Sequence, residues 1–219
     1  MKLPSLEDES ISVVLLGDFN PKIFHPLWFA AHGLIRQSEA ENPDLKLEVT
    51  HSEYAAFATE SFRFSVSHNR FSVQSSGSGF RDMIRDFVTG TFSLLSHTPV
   101  RTLGINREFH YRMDSDEAWH AVGHKLAPKA VWGEALNKPG MEDLRVLAMR
   151  PDTHKGCVRV IVQPSPKVKP GVYVQVNDHY EVEEREAAGA ERIMEILKDV
   201  WEKSLARSEQ VTHTMFANL

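Results

Sequence analysis

Apolar positions along this chain recur at two spacings, and the switches between them mark out its elements. "ISVVLLGDF" is a β-branched and aliphatic run closed by Gly17, the pattern of a buried strand. "NPKIFHPLWFAAHGLIRQSEAE" changes period. Asn20 ahead of Pro21 is a helix start, Pro26 falls in the first turn, and Ile23, Leu27, Trp28, Ala31, Leu34 and Ile35 lie at helical spacing. "LKLEVT" alternates, and "FATESFRFSVSHNRFSVQSS" reads as two strands about "SHNR", with Phe62, Phe64 and Val66 on one face. "GFRDMIRDFVTGTFSLLSH" returns to the helical period through Phe80, Met83, Ile84, Phe87, Val88, Thr91 and Leu95.

The same succession then starts again. "VRTLGINREFHYRM" reads as a long strand in which Gly104 is a place for a bulge. "SDEAWHAVGHKLAPKAVW" is a helix with Ser115 as N-cap and Pro128 as its stop or kink. "DLRVLAMR", "GCVRVIVQPS" and "GVYVQVNDHYEVE" are three strands. A long amphipathic helix follows through Ile193, Leu197, Val200, Leu205 and Val211. The order β-α-β-β-β-α thus occurs twice, the second copy beginning near Val100, although no residues match between the halves.

Consecutive strands on short connections favour antiparallel pairing. The expected fold class is therefore α+β, a mostly antiparallel sheet covered by helices on one face. No linker rich in Gly, Ser or Pro separates the halves at 10–98 and 99–219, so a single fused domain over 1–219 is expected. An irregular α+β fold without pseudo-symmetry is the alternative.

Composition narrows the setting. A chain of 219 residues can bury a core without disulfide or metal staples. Cys157 is its single cysteine, which excludes an intramolecular disulfide and suits a reducing compartment. "MKLPSLEDES" carries no apolar leader segment, and no apolar run approaches the ~20 residues that cross a bilayer. A cytoplasmic protein with no membrane partner is expected. The net charge of −5 and pI near 6.1 give no general attraction to phosphate backbones, so nucleic acid is not an expected partner.

Several stretches could carry chemistry. Glu117, His120 and His124 share one stripe of a helix, and His120 and His124, four residues apart, can hold one divalent metal. Between the two histidines stand Ala121, Val122 and Gly123, so the carboxylate that activates water in the His-Glu-x-x-His zinc proteases is missing. The competing reading makes the stripe the polar edge of a packing helix whose apolar face is Trp119, Val122, Leu126 and Ala130. Asp178, His179 and Glu181 could serve acid–base chemistry or bind a divalent ion. Alternation puts Asp178 opposite His179 and Glu181, so they converge only if the strand breaks; otherwise the strand exits into a solvated acidic connector.

Gly77 and Gly79 precede a helix but lack the residues of a phosphate loop, and Cys157 begins a β-branched strand as an inert core thiol. Arg101 and Arg107 with Phe109 would form a weak basic face, Arg112 lying opposite, unless a bulge at Gly104 shifts Arg101.

Taken in order, "FNPKIFHPLWFAAHGLI", "HNRFSV", "HTPVRTLGINREFHYR", "LAPKAVW", "KPGM" and "VNDHYE" resemble a sporadically distributed family of proteobacterial proteins to which no activity is assigned. "LGINREFHY" stands where that family has an "lGlRYiNr"-like strand. "VQVNDHY" stands where it has an "LDiDvy"-like strand before a long final helix, with Asn177 or Asp178 in place of the second aspartate. The resemblance implies a bacterial, accessory protein and brings no catalytic residue with it.

The reading that follows is a non-enzymatic binding or assembly protein, without a cofactor, that contacts a protein partner or a second copy. Trp201, Met215 and Phe216 on the last helix are the expected contact surface. The alternative is a metal-dependent hydrolase or nuclease using Glu117, His120 and His124, or Asp178, His179 and Glu181.

Overall fold

In the computed structural model, which describes residues 3–42, 46–50, 53–182 and 189–219, two strands of 13 residues pair at the centre of one sheet. They are β1 (Ser5–Gly17) and β6 (Val100–Arg112), antiparallel, with Val13 opposite Ile105. On one side follow β5 (Arg70–Ser76), β4 (Arg63–Ser67), β3 (Tyr54–Ala58) and β2 (Lys46–Thr50). On the other follow β9 (Gly171–Glu181), β8 (Gly156–Pro164) and β7 (Leu144–Met149). Every neighbouring pair of the nine strands is antiparallel.

Counted outward from the centre, each half lays down its first strand, then its last, then the preceding ones. The duplicated order read from the chain is therefore present in the sheet, with one correction. The first half has four strands after its opening helices, because Tyr54–Ala58 forms β3. Its run "YAAFA" is apolar at consecutive positions rather than alternating.

The helices are α1 (Pro26–Ala31), α2 (Gln37–Ala40), α3 (Arg81–Leu94), α4 (Asp116–Leu126) and α5 (Glu191–Ala217). The single helix expected after Asn20 is instead a 3-10 turn over Pro21–Ile23 followed by two short helices. Asn20 caps the 3-10 turn, and His25 caps α1 with Pro26 at its first position, where the missing N–H costs nothing. Gly33, at φ +70°, then ends α1 in a conformation that favours glycine. At 27 residues α5 is about 40 Å long and crosses the sheet. Among the described residues no helix is long and apolar enough to cross a membrane.

Alternation decides which face is covered. Ile11, Val13 and Leu15 of β1, Leu103, Ile105 and Phe109 of β6, and Val172, Val174 and Val176 of β9 are all buried on the face that meets α3 and α5. The apolar core has two parts. The larger, rich in stacked and edge-on phenylalanines such as Phe24, Phe29, Phe64 and Phe71, lies under α3 and the first half of α5. The smaller joins Phe109, Tyr111, Val122, Val158 and Val174 to Phe216 at the end of α5.

The opposite face of the central strands carries a hydrogen-bonded polar ladder. Ser10 donates to Glu108 at 2.8 Å, Gln175 donates to the other oxygen of Glu108 at 3.3 Å, and Asn177 donates to Asn106.

The bulge in the long strand falls beside Arg101, not at Gly104. The register between β1 and β6 shifts between Leu16 and Gly17, which turns Val100 inward and Arg101 out to solvent. At the start of β8, Gly156 has φ +126°, and a Cβ there would lie 2.0 Å from the carbonyl oxygen of His179. Only glycine lets β8 begin this close to β9.

Candidate functional site

The histidine stripe lies on a cavity wall. Ser115 caps α4 by accepting from the amide of Ala118, as its place before the helix predicts. Val122 anchors α4 in the smaller core, and Trp119 donates its indole N–H to the carbonyl of Gly171 at 2.9 Å. Those contacts hold α4 across the ends of β8 and β9. Between α4, the segment 138–141 and Gln163, Pro164 and Val172 runs an open groove of about 690 Å³. Glu117, His120, His124, Lys129 and Lys138 line it together with Trp119, Val122 and Met141. Bonds to its own amide and to the Ser115 hydroxyl hold the Glu117 carboxyl below the usual glutamate range.

The structure does not gather Glu117, His120 and His124 into a group of three. The rings of His120 and His124 are 6.5 Å apart between centroids and tilted by 44°, and the Trp119 ring lies tilted beside His120 with centroids 4.8 Å apart. Among the described residues no group of three or more His, Cys, Asp or Glu side chains is gathered to hold a metal ion. Asp178, His179 and Glu181 do not join the stripe either. The groove touches β9 at Val172, and His179 lies seven residues further on, about 23 Å away along the strand.

Nor do those three residues form one cluster. The strand does not break at Asp178, so Asp178 faces the core while His179 bonds Glu181 at 3.2 Å on the opposite face. Burial and the nearby Arg159 push the His179 imidazole below its ordinary pKa. The acidic connector expected after the strand lies at 183–188, outside the described residues.

Asp178 instead belongs to a buried ionic network. Arg150, from the turn after β7, donates to Asp178 and, through two nitrogens, to Asp152 at 2.9 and 2.6 Å. Arg207 of α5 donates to the other oxygen of Asp178 and to Asp152. The Arg150 guanidinium lies 3.6 Å over the Tyr180 ring. A parallel network holds Arg107, whose side chain is only 1% exposed. Arg107 donates to Glu9 at 2.6 Å, Arg81 of α3 chelates the same carboxylate at 2.9 Å, and Glu209 of α5 approaches both arginines.

The basic face expected from Arg101 and Arg107 is thus absent. Arg107 is buried and paired, and Arg101 forms a bidentate bond with Asp18 at the surface. The contact surface expected at the end of α5 is also overturned. Trp201 is buried and donates to Asp82, Phe216 is fully buried against Tyr111, and Met215 packs half-buried on the smaller core. Helical periodicity simply continues to the last turn of α5. Gly77 and Gly79 frame a 3-10 turn before α3, and Cys157 is half-buried.

The exposed apolar groups lie elsewhere. Among the described residues β7 is the last strand of the sheet, paired only with β8, and its sequence LRVLAM carries one charge. Leu147 is 68% exposed, Met149 92% and Val146 47%. The segment leading into β7 adds Val131 at 79% and Trp132 at 54%. Sequence reasoning missed this edge because an apolar run on both faces of a strand normally signals a strand buried in mid-sheet. Arg107 and Asp178 had a readable signal, each being a charge at an inward-facing position of an otherwise apolar alternation.

No protein-family model and no curated protein sequence matches this chain.

Proposed function

We propose that this chain is a non-enzymatic assembly protein that pairs with a second copy of itself through the free edge of β7. What carries the reading is that edge: a six-residue strand with one side unpaired among the described residues, a single charge, and Leu147 and Met149 standing in solvent. Edge strands that work alone are ordinarily protected by charge, proline or a covering segment.

Antiparallel pairing of β7 with its copy about a two-fold axis is self-complementary. With Leu147 opposite Leu147 of the second copy, Val146 meets Ala148 and Arg145 meets Met149. Each pair shares a face and no like charges are opposed. The single cysteine, Cys157, supports placing this assembly in the reducing cytoplasm.

The test is sedimentation equilibrium of the wild type and of Leu147→Lys. The wild type is expected to dimerise with Kd in the roughly micromolar range of small interfaces. Leu147→Lys, at an exposed position, is expected to be monomeric with an unchanged melting temperature. A wild type that stays monomeric at the highest reachable concentration, or a dimer that the lysine leaves intact, overturns the reading.

A further inference from the structure

We propose that the groove beside α4 is a binding site for a small amphipathic anion, a carboxylate carried on an apolar chain. The volume comes first. About 690 Å³ lies within the range of roughly 300–1,000 Å³ typical of small-molecule sites. The lining is mostly apolar, with Trp119, Val122, Met141 and Val172 as its floor.

Charge fixes the class of ligand. The whole chain is acidic at −5, yet Lys129 and Lys138 line this groove, and the nitrogens of His120 and His124 add further donors. Glu117 is the one carboxylate among the lining side chains, set against the two lysines. With two lysines against one carboxylate the lining carries a net positive charge, so an anion is favoured over a cation there. The apolar floor rejects a bare inorganic ion, which would have to shed water without gaining contacts there.

The groove also depends on a missing side chain. Gly123 lines it from mid-helix, where glycine costs helix stability relative to other residues. A Cβ at Gly123 would sit 3.7 Å from Cβ of Met141, an ordinary contact, so a methyl fits and a larger side chain projects into the space. This glycine keeps the groove open rather than relieving a backbone constraint.

The experiment is a ¹H–¹⁵N NMR titration of the intact chain with sodium octanoate, with octylamine and acetate as the reversed-charge and head-group-only probes. Octanoate is expected to shift the Trp119 indole and the Gly123 and Val172 amides, while octylamine and acetate leave them in place. Lys129→Ala combined with Lys138→Ala is expected to weaken octanoate at least about tenfold, the size of a 1.4 kcal/mol loss. Gly123→Leu, which improves helix propensity, is expected to abolish the shifts in a protein that remains folded. No octanoate shift in the wild type overturns the proposal. So does equal binding of octylamine, which would mark apolar adhesion only, or an unchanged affinity in the lysine variant.

Discussion

Arg207 on α5 donates to Asp178 on β9, bonding a helix to the inner face of the sheet with a charge pair where apolar packing would be expected. The position along α5 explains its use. Residues from Ile193 to Leu205 pack on the larger apolar cluster, Val211 and Phe216 on the smaller, and Arg207 and Glu209 lie between them. Removing the charge at Asp178 leaves two guanidinium groups, from Arg150 and Arg207, short of an acceptor in a buried place. Asp178→Asn is expected to cost roughly 3–5 kcal/mol, the size of breaking a buried pair from one side. Urea unfolding monitored by circular dichroism measures it; a loss below about 1 kcal/mol would show that the pair does not hold α5 in place.

Asp152 gives the same network a pH signature. Its bonds to Arg150 lower its pKa from the ordinary 3.8 to about 2. A carboxylate depressed in the folded state contributes stability that is complete above the unfolded value and is lost as pH falls through the folded one. The window is therefore about pH 4 to 2, and the amount, reduced by solvent screening at a partly exposed carboxylate, is on the order of 1 kcal/mol. Asp152→Asn is expected to be less stable at pH 7 and to flatten the acid limb of the stability curve in that window. Equal acid slopes for variant and wild type would remove Asp152 from the network's energetics.

How far the sequence was legible depended on whether a feature is local. Alternation placed β4, β5, β6, β8 and β9, and Ser115 marked the start of α4, because each signal resides in a few adjacent residues. β3 escaped because consecutive apolar positions in "YAAFA" show neither period. "SLEDES" precedes the strand read from "ISVVLLGDF" yet forms the first part of β1, where Glu9 is neutralised by Arg81 and Arg107, which lie 72 and 98 residues further along the chain.

The candidate site divides the same way. The histidine stripe was visible as a stripe, but the groove before it needs segment 138–141 and the ends of β8 and β9, whose approach no local pattern encodes. The α5 surface failed for the converse reason. Ser204, Ser208 and Thr212 lie on its buried side, so the covered face reads as half polar and the last apolar residues looked surplus.

Arg107 and Glu9 allow a sharper test, because the two ends of one bond are not equivalent. Glu9 accepts from Arg107 and also, on both carboxylate oxygens, from Nη2 of Arg81, so it keeps a partner when Arg107 is removed. Arg107 is almost wholly buried, and burial already pushes its pKa below that of a free guanidinium. Without Glu9 it retains only the more distant Glu209, at 3.6 Å. Glu9→Ala is therefore expected to cost roughly 3–5 kcal/mol, as a buried charge loses its main partner. Arg107→Met, which puts an apolar side chain where the guanidinium lies over Phe109 and leaves Glu9 paired with Arg81, is expected to cost no more than about 1–2 kcal/mol. Chemical denaturation of the two variants side by side decides it: equal losses, or a larger loss for Arg107→Met, would mean that the guanidinium itself, rather than its neutralisation, holds β6 to α5.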